Sequence, residues 1–215
     1  MDPSLFILLF TWKNTTSPTN SMDPKTGFNS ISKTFHSLRP PLNLPPPHAN
    51  ISAATYTFSL HHSDSNTFLI DSTTSHKLSY STFIQRYKTL AQNLTLRGLT
   101  KHHTALILSP NLLQVPILYF ALLSIGVVVS PTNPISTPSE ISHLVNLSKP
   151  VIAFTTSFLS HKLPKLAFGT ILIDSPEFDS LTTEADVSST VSPPEVSQSD
   201  VAVILYSSGI TIRKI

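Results

Sequence analysis

The chain has 215 residues, room for one sizeable domain or for part of a larger one. Hydrophobic residues make up 40% and charged residues only 12%, about half the usual ~25%, so Ser and Thr carry most of the polarity around a feasible core. A formal net charge of +2, scattered along the chain, offers nucleic acid no basic face, and the absence of cysteine excludes disulfides, thiolate metal sites and a cysteine nucleophile.

At the amino terminus, MDPSLFILLFTWKN holds an apolar run from Leu5 to Phe10. Asp2 precedes that run, which is shorter than a secretory signal requires, so it reads as a non-signal extension. Arg39 to Pro47 (RPPLNLPPP) reads as extended polyproline, because proline fixes φ and removes a donor. A docked arm suits it better than a ligand for an SH3-type domain. Residues 1–50 are therefore expected to be a poorly ordered extension and arm, and residues 51–215 a domain.

Thr67–Asp71 and His76–Tyr80 flank a polar turn and predict a small hairpin. Tyr80, Phe83, Ile84, Tyr87, Leu90, Ala91 and Leu94 recur every three or four residues, one apolar helical face. Gly98 is placed to end that helix in the left-handed conformation. Thr104–Leu108 is a continuous apolar run, the pattern of a strand buried on both faces. Asn111 is expected to cap the next helix, which is apolar nearly all round, and Gly126–Ser130 to form the next strand. Thr137-Pro138-Ser139-Glu140 spells a capping box with proline at the first helical position. Ile141, Leu144 and Val145 supply that helix's buried stripe, and Pro150 stops it.

Val151–Thr155 and Thr170–Asp174 predict two further buried strands. Residues 175–199, acidic and rich in Ser, Thr and Pro, predict a surface loop. Val201–Tyr206 predicts a last buried strand. Strands alternating with helices specify an α/β fold with a mostly parallel sheet and helices on both faces. Ligands of such sheets bind beyond the carboxyl ends of the strands, which is where Ser207-Ser208-Gly209 falls.

Several rival features carry less. No charged residue occurs from Thr104 to Ser139, and residues 112–131 are long enough to span a bilayer. Pro110, Pro116, Gly126, Pro131 and the valine run instead favour strand, helix and strand. The sequons at Asn14, Asn50, Asn93 and Asn146 read as chance matches, two of them inside predicted helices. The pairs His61-His62 and His102-His103 send their side chains apart, and with no carboxylate at ligand spacing they read as surface histidines. Glu140 and His143 read as a local polar pair, and Tyr80, Tyr87 and Tyr119 as core.

A strand that ends in hydroxyl residues and glycine can wrap N–H and O–H donors round a phosphate. Ser-Ser-Gly alone is a weak signal, and the G-x-x-x-x-G-K-[ST] loop is not met after Gly209. In context, DVAVILYSSG (Asp200–Gly209) resembles the lead-in to the AMP-binding signature of acyl-adenylate-forming enzymes, and within them the plant 4-coumarate–CoA ligase-like group. KLSYSTFIQRYKTLAQNLTLRGL, the stretch from NLLQVPILYF through SPTNP to KPVIAF, and FHSLRP near Phe35 are similar to the same group in order and spacing. The resemblance covers roughly residues 22–209, and Met22 resembles a family start.

The resemblance implies the first subdomain of an adenylate-forming enzyme's large amino-terminal domain. It implies a ligase that uses ATP, Mg2+ and coenzyme A on a small carboxylic acid, a hydroxycinnamate or an oxylipin-type fatty acid, in the cytoplasm or peroxisome. Ser207, Ser208, Gly209 and Thr211 would contact the ATP phosphates, with Lys214 as a fifth contact. The family pattern fails at three places. Ile210 replaces a hydroxyl residue, Ile212 stands where glycine or serine belongs, and Lys214 comes one position early. A β-branched residue such as Ile212 disfavours positive φ. The expectation is a chain cut at its phosphate loop and inactive alone. The alternatives are a non-catalytic interaction or decoy fragment and a membrane protein spanning near 112–131.

Overall fold

The computed structural model describes residues 22–40, 44–59, 65–185, 192 and 194–206, and the chain divides into two units between Pro46 and Pro47. In the first, β1 (Phe28–Asn29) pairs antiparallel with β2 (Thr34–Phe35). The Asn29 side chain makes the turn, its Oδ1 accepting from the N–H groups of Ile31 and Ser32 at 2.9 and 3.0 Å. The rings of Phe28 and Phe35 meet across the pair, their centroids 5.1 Å apart. This hairpin falls where composition promised little order; the Asx turn was its only sequence signal.

The second unit begins with α1 (Ala53–Ser59), whose Thr55 N–H donates to Ser52 Oγ. The predicted hairpin follows as β3 (Thr67–Ile70) and β4 (Lys77–Ser79). Then comes α2 (Tyr80–Leu96), capped by Ser79 Oγ accepting from Thr82 N–H. Gly98 follows its end at φ +90°, a conformation available to glycine at no steric cost. Next are β5 (Thr104–Leu108), α3 (Gln114–Ser124), β6 (Val128–Thr132), α4 (Pro138–Ser148) and β7 (Ile152–Thr155). A short 3-10 helix (Ser157–Lys162), β8 (Thr170–Leu172) and α5 (Pro176–Thr183) complete the series.

The four-stranded sheet has the order β6-β5-β7-β8, parallel throughout. Alternation along each strand sorts side chains to two faces. Ala105, Ile107, Val129, Ile152, Phe154 and Ile171 join the buried faces of α2, α3 and α5 in the main core. Leu106, Leu108 and Ala153 pack with Ile141 of α4 and Leu159 of the 3-10 helix on the other side. Helices therefore cover both faces, as the sequence pattern requires. An aromatic cluster joins α1, β3, α2 and α3: Phe83 is fully buried, with ring centroids 4.5 Å from Phe68, 5.6 Å from Phe58 and 5.4 Å from Phe120.

The capping box of α4 forms as its spelling predicts. Thr137 Oγ1 accepts from Glu140 N–H, and Glu140 Oε2 accepts from Thr137 N–H at 2.7 Å. Glu140 is thus turned toward its own cap rather than toward His143. The helix closes on Lys149 at φ +46°, and Pro150 follows.

Four expectations need correction. Asn111 caps nothing: α3 starts three residues later at Gln114, with Leu113 at its N-cap position and no side-chain cap. Its strand partner begins at Val128 rather than Gly126, because Gly126 adopts φ +68° in the turn after α3. Residues 176–183 are helix, not loop. Ser175 Oγ accepts from Phe178 N–H, Pro176 occupies the first turn, and Phe178, Leu181 and Thr182 are buried on one face. Finally, residues 112–131 divide into the eleven-residue α3 and part of β6, and no helix among the described residues is long and apolar enough to cross a membrane.

Candidate functional site

All four strands of the sheet present their carboxyl ends to one rim, the side on which parallel sheets bind ligands. Residues 201–206 come to the β6 edge of that sheet. Val203 pairs in parallel with Val129 through two hydrogen bonds of 2.9 Å, from Val129 N–H to the Ala202 carbonyl and from Ile204 N–H to the Val129 carbonyl. The pairing then stops, so the expected buried strand at 201–206 is a single bridge. Val201 and Leu205 are 40% and 60% exposed.

Pro131 explains the interruption. In a parallel ladder alternate residues bond to the same neighbour, so after Val129 the next donor toward this edge belongs to residue 131. Proline has no N–H to give. A side-chain chain of hydroxyls takes over. Tyr206 Oη lies 2.6 Å from Ser130 Oγ, Ser130 Oγ donates to Ser148 Oγ of α4 at 3.4 Å, and Ser148 Oγ donates to the Leu144 carbonyl at 2.9 Å. Ser130 is fully buried. Tyr206 therefore leaves the sheet at the rim, tied to β6 and α4 through its ring rather than its backbone.

The start of the same segment is clamped electrostatically. Lys101 Nζ lies 2.7 Å from Asp200 Oδ2 and also donates to the Glu195 carbonyl at 3.1 Å. Ser197 N–H donates to Asp200 Oδ2 at 2.7 Å. Desolvation pushes the Asp200 carboxyl upward. The hydrogen bonds from Lys101 and Ser197 and the charges of Lys101 and His102 outweigh it, holding the group below the ordinary carboxylate value.

The rest of the rim is cross-braced. Thr155 Oγ1 donates to the Leu108 carbonyl at 2.8 Å, tying β7 to β5. Asp174, just past β8, accepts from Ser157 N–H at 2.9 and 3.0 Å and from Ser157 Oγ at 2.7 Å. Desolvation works to raise its pKa, and these donors bring it below the ordinary value. Lys162 Nζ donates to the carbonyls of Pro134 and Ser136 at 2.8 and 3.0 Å, pinning the loop after β6 to the 3-10 helix. Thr132, the last residue of β6, carries a buried hydroxyl with no partner among the described residues.

The residues expected to hold nucleotide phosphates, Ser207, Ser208, Gly209, Thr211 and Lys214, lie outside the described residues. Tyr206, immediately before them, is described, and so is the bridge that carries the chain to the rim. Of the histidine pairs, His61-His62 is likewise outside. His103 accepts from Thr100 N–H at 3.2 Å and packs 5.7 Å from the Phe168 ring, so it is structural. Among the described residues no group of three or more His, Cys, Asp or Glu side chains could hold a metal ion. The sequence reading passed over Lys101, Asp200, Ser130 and Tyr206 as a set. Their spacing has no periodic signature, since each pair closes only in the folded sheet.

The AMP-binding enzyme family model matches residues 59–212. The chain is 43% identical to 4-coumarate–CoA ligase-like 9 of Arabidopsis thaliana over 92% of this chain and 38% of that protein. It is 41% identical to 4-coumarate–CoA ligase-like 5 of rice (Oryza sativa subsp. japonica), covering 89% and 36%. With Peroxisomal OPC-8:0-CoA ligase 1 of A. thaliana the identity is 32%, covering 89% and 36%. The chain thus spans less than two-fifths of the length of these relatives. Among solved structures, the NpsA N-terminal subdomain of Klebsiella oxytoca shares the fold at TM-score 0.54 and 22% identity, over 64% of this chain and 34% of that one. VinN does so at TM-score 0.59 and 20% identity, over 67% and 38%. The α/β fold is thus shared with the NpsA N-terminal subdomain, and this chain belongs to the AMP-binding enzyme family, beside its 4-coumarate–CoA ligase-like members.

Proposed function

We propose that residues 51–215 contribute the phosphate-binding rim of an acid–CoA ligase, with residues 1–50 as an amino-terminal extension and arm. The observation that supports this reading is the Val203–Val129 bridge, which brings the chain as far as Tyr206, the residue before Ser-Ser-Gly, to the carboxyl end of a parallel sheet. In such a ligase a carboxylate oxygen attacks the α-phosphorus of ATP and pyrophosphate leaves. The thiol sulfur of coenzyme A then attacks the acyl carbon and AMP leaves. Ser207, Ser208, Gly209 and Thr211, with Lys214, would bind the phosphates through hydroxyl, N–H and ammonium groups placed before the charge develops. Among the described residues no cluster of His, Cys, Asp or Glu side chains could hold Mg2+.

The acid is proposed to be a hydroxycinnamate or an oxylipin-type fatty acid, the two classes suggested by the names of the relatives, and the compartment the cytoplasm or peroxisome. A second reading, a non-catalytic interaction fragment, is favoured by Ile210 and Ile212. They replace a hydroxyl and a small residue in the one loop that must fold tightly on phosphate. The contacts left are worth roughly 0.5–1.5 kcal/mol each, too little to drive ligation.

The test is carboxylate-dependent ATP–pyrophosphate exchange. The 215-residue chain is expected to show none above a no-acid control. Residues 51–215 grafted in place of the matching segment of the 43%-identical Arabidopsis relative are expected to restore exchange once Ile210→Thr and Ile212→Gly are introduced. A graft that carries both substitutions, folds by circular dichroism and stays silent would overturn the ligase reading. Exchange by the unaltered chain would overturn its inactivity.

A further inference from the structure

The hydroxyl chain at the β6 edge has a purpose that the backbone does not serve. Residues 201–206 are held by one ladder bridge, because Pro131 withholds the next donor. Beyond that bridge the described segment is attached at Tyr206, whose Oη meets the fully buried Ser130 Oγ at 2.6 Å. Ser130 is fixed in turn by Ser148, and Ser148 by the Leu144 carbonyl inside α4. A ring hydroxyl on a stiff two-torsion side chain sets the height and direction of its own backbone. The hydrogen bond ends on the buried Ser130, itself oriented by the half-buried Ser148, so it has little freedom to slide. Phenylalanine would keep the ring packing and lose only this lock.

We infer that Tyr206 is a positioning residue: its hydroxyl, seated on Ser130 and backed by Ser148, fixes where the chain leaves the sheet toward Ser207-Ser208-Gly209. The purpose assigned to this lock rests on the phosphate-loop reading above; the lock itself rests on the contacts. Lys101 and Asp200 secure the other end of the segment, so the five residues between Asp200 and Tyr206 are held at both ends and bridged once in the middle.

Amide hydrogen exchange on the full 215-residue chain, without nucleotide, tests the lock. Tyr206→Phe and Ser130→Ala are each expected to speed exchange in peptides covering 201–206 about two- to tenfold, the loss of one hydrogen bond. The double variant is expected to exchange no faster than the quicker single one, because both changes remove the same contact. Peptides from β5 and β7 should be unchanged. Unaltered exchange at 201–206 in both single variants would overturn the inference. So would additive effects, or equal acceleration in β5 and β7, which marks general destabilisation instead.

A second arm adds ATP itself and reads its apparent Kd from protection of the same peptides. Tyr206→Phe is expected to weaken that Kd about two- to tenfold, and an unchanged Kd would remove the positioning role. Absence of any ATP protection in the unaltered chain would count against the phosphate-loop reading alone, because the nucleotide-free arm still decides the lock.

Discussion

Lys101 and Asp200, 99 residues apart in sequence numbering, form an ion pair of 2.7 Å whose side chains are 27% and 14% exposed. The pair joins the turn before β5 to the start of the segment that runs to the rim. With one partner largely shielded and a second hydrogen bond from Ser197, it lies between a surface pair and a buried one. Lys101→Ala is expected to cost about 1 kcal/mol, read as a drop of roughly 2–4 °C in Tm.

The same pair sets an acid sensitivity. The folded-state pKa of Asp200 is lowered, so its contribution is complete above the ordinary carboxylate value and disappears as pH falls through the folded one. Thermal melts between pH 7 and pH 3 should lose stability at the acid end, and Asp200→Asn should flatten that part of the profile. A profile unchanged by Asp200→Asn would show that the pair contributes nothing to it.

Gly126 supports that clamp from beneath. It adopts φ +68°, and a Cβ there would lie 2.9 Å from Lys101 Cγ and 3.3 Å from Val196 Cγ2. Gly126→Ala is expected to cost about 1–3 kcal/mol through backbone strain and to push Lys101 away from Asp200. Combined with Lys101→Ala, its cost should shrink, because the clashing side chain has been shortened. Denaturant unfolding of the two single variants and the double variant measures this coupling.

Phe83 lies at the centre of the aromatic cluster that joins α1, β3, α2 and α3. Phe83→Ala should lower unfolding free energy by about 3–5 kcal/mol, whereas Ile70→Ala, at a residue 60% exposed, should change it little. Equilibrium unfolding in urea compares them.

Asn93 docks α5. Its Nδ2 donates to the Leu181 and Glu184 carbonyls, both at 2.8 Å, and the residue is buried. Asn93→Ala is expected to destabilise by about 1–3 kcal/mol through unsatisfied carbonyls and to speed exchange in α5 before α2. Burial and these two bonds also leave the Asn93 sequon no room for a glycan in the folded chain.

Most of the scaffold was legible because its elements announce themselves locally. Thr104–Leu108 is a strand over the expected residues, and Thr137-Pro138-Ser139-Glu140 builds the capping box that its spelling requires. α5 was overlooked because eight residues of mixed polarity hardly register against a Ser- and Pro-rich background, although Ser175-Pro176 and the Phe178, Leu181, Thr182 spacing mark it. The failure at 201–206 has another origin. VAVILY reads as a buried strand by composition, but its pairing depends on Pro131, some 70 positions earlier. The rim clamps were invisible for the same reason, each being a contact between residues remote in sequence.

The 76-residue separation between Ser130 and Tyr206 has a kinetic consequence. The unit β5–α3–β6 can close as it leaves the ribosome, and β7 can add to the other side of β5 once α4 has been made. The outer side of β6 gains its neighbour only after α4, β7, β8 and α5 have been made. Closure of so long a loop is paid late in folding, so the 201–206 pairing should be among the last contacts to form and the first to open. Until then, one side of β6 remains a nascent chain's uncapped template for intermolecular strand addition. The missing N–H of Pro131 halves the donors offered there, so the residue that weakens the native pairing also guards the edge while it waits.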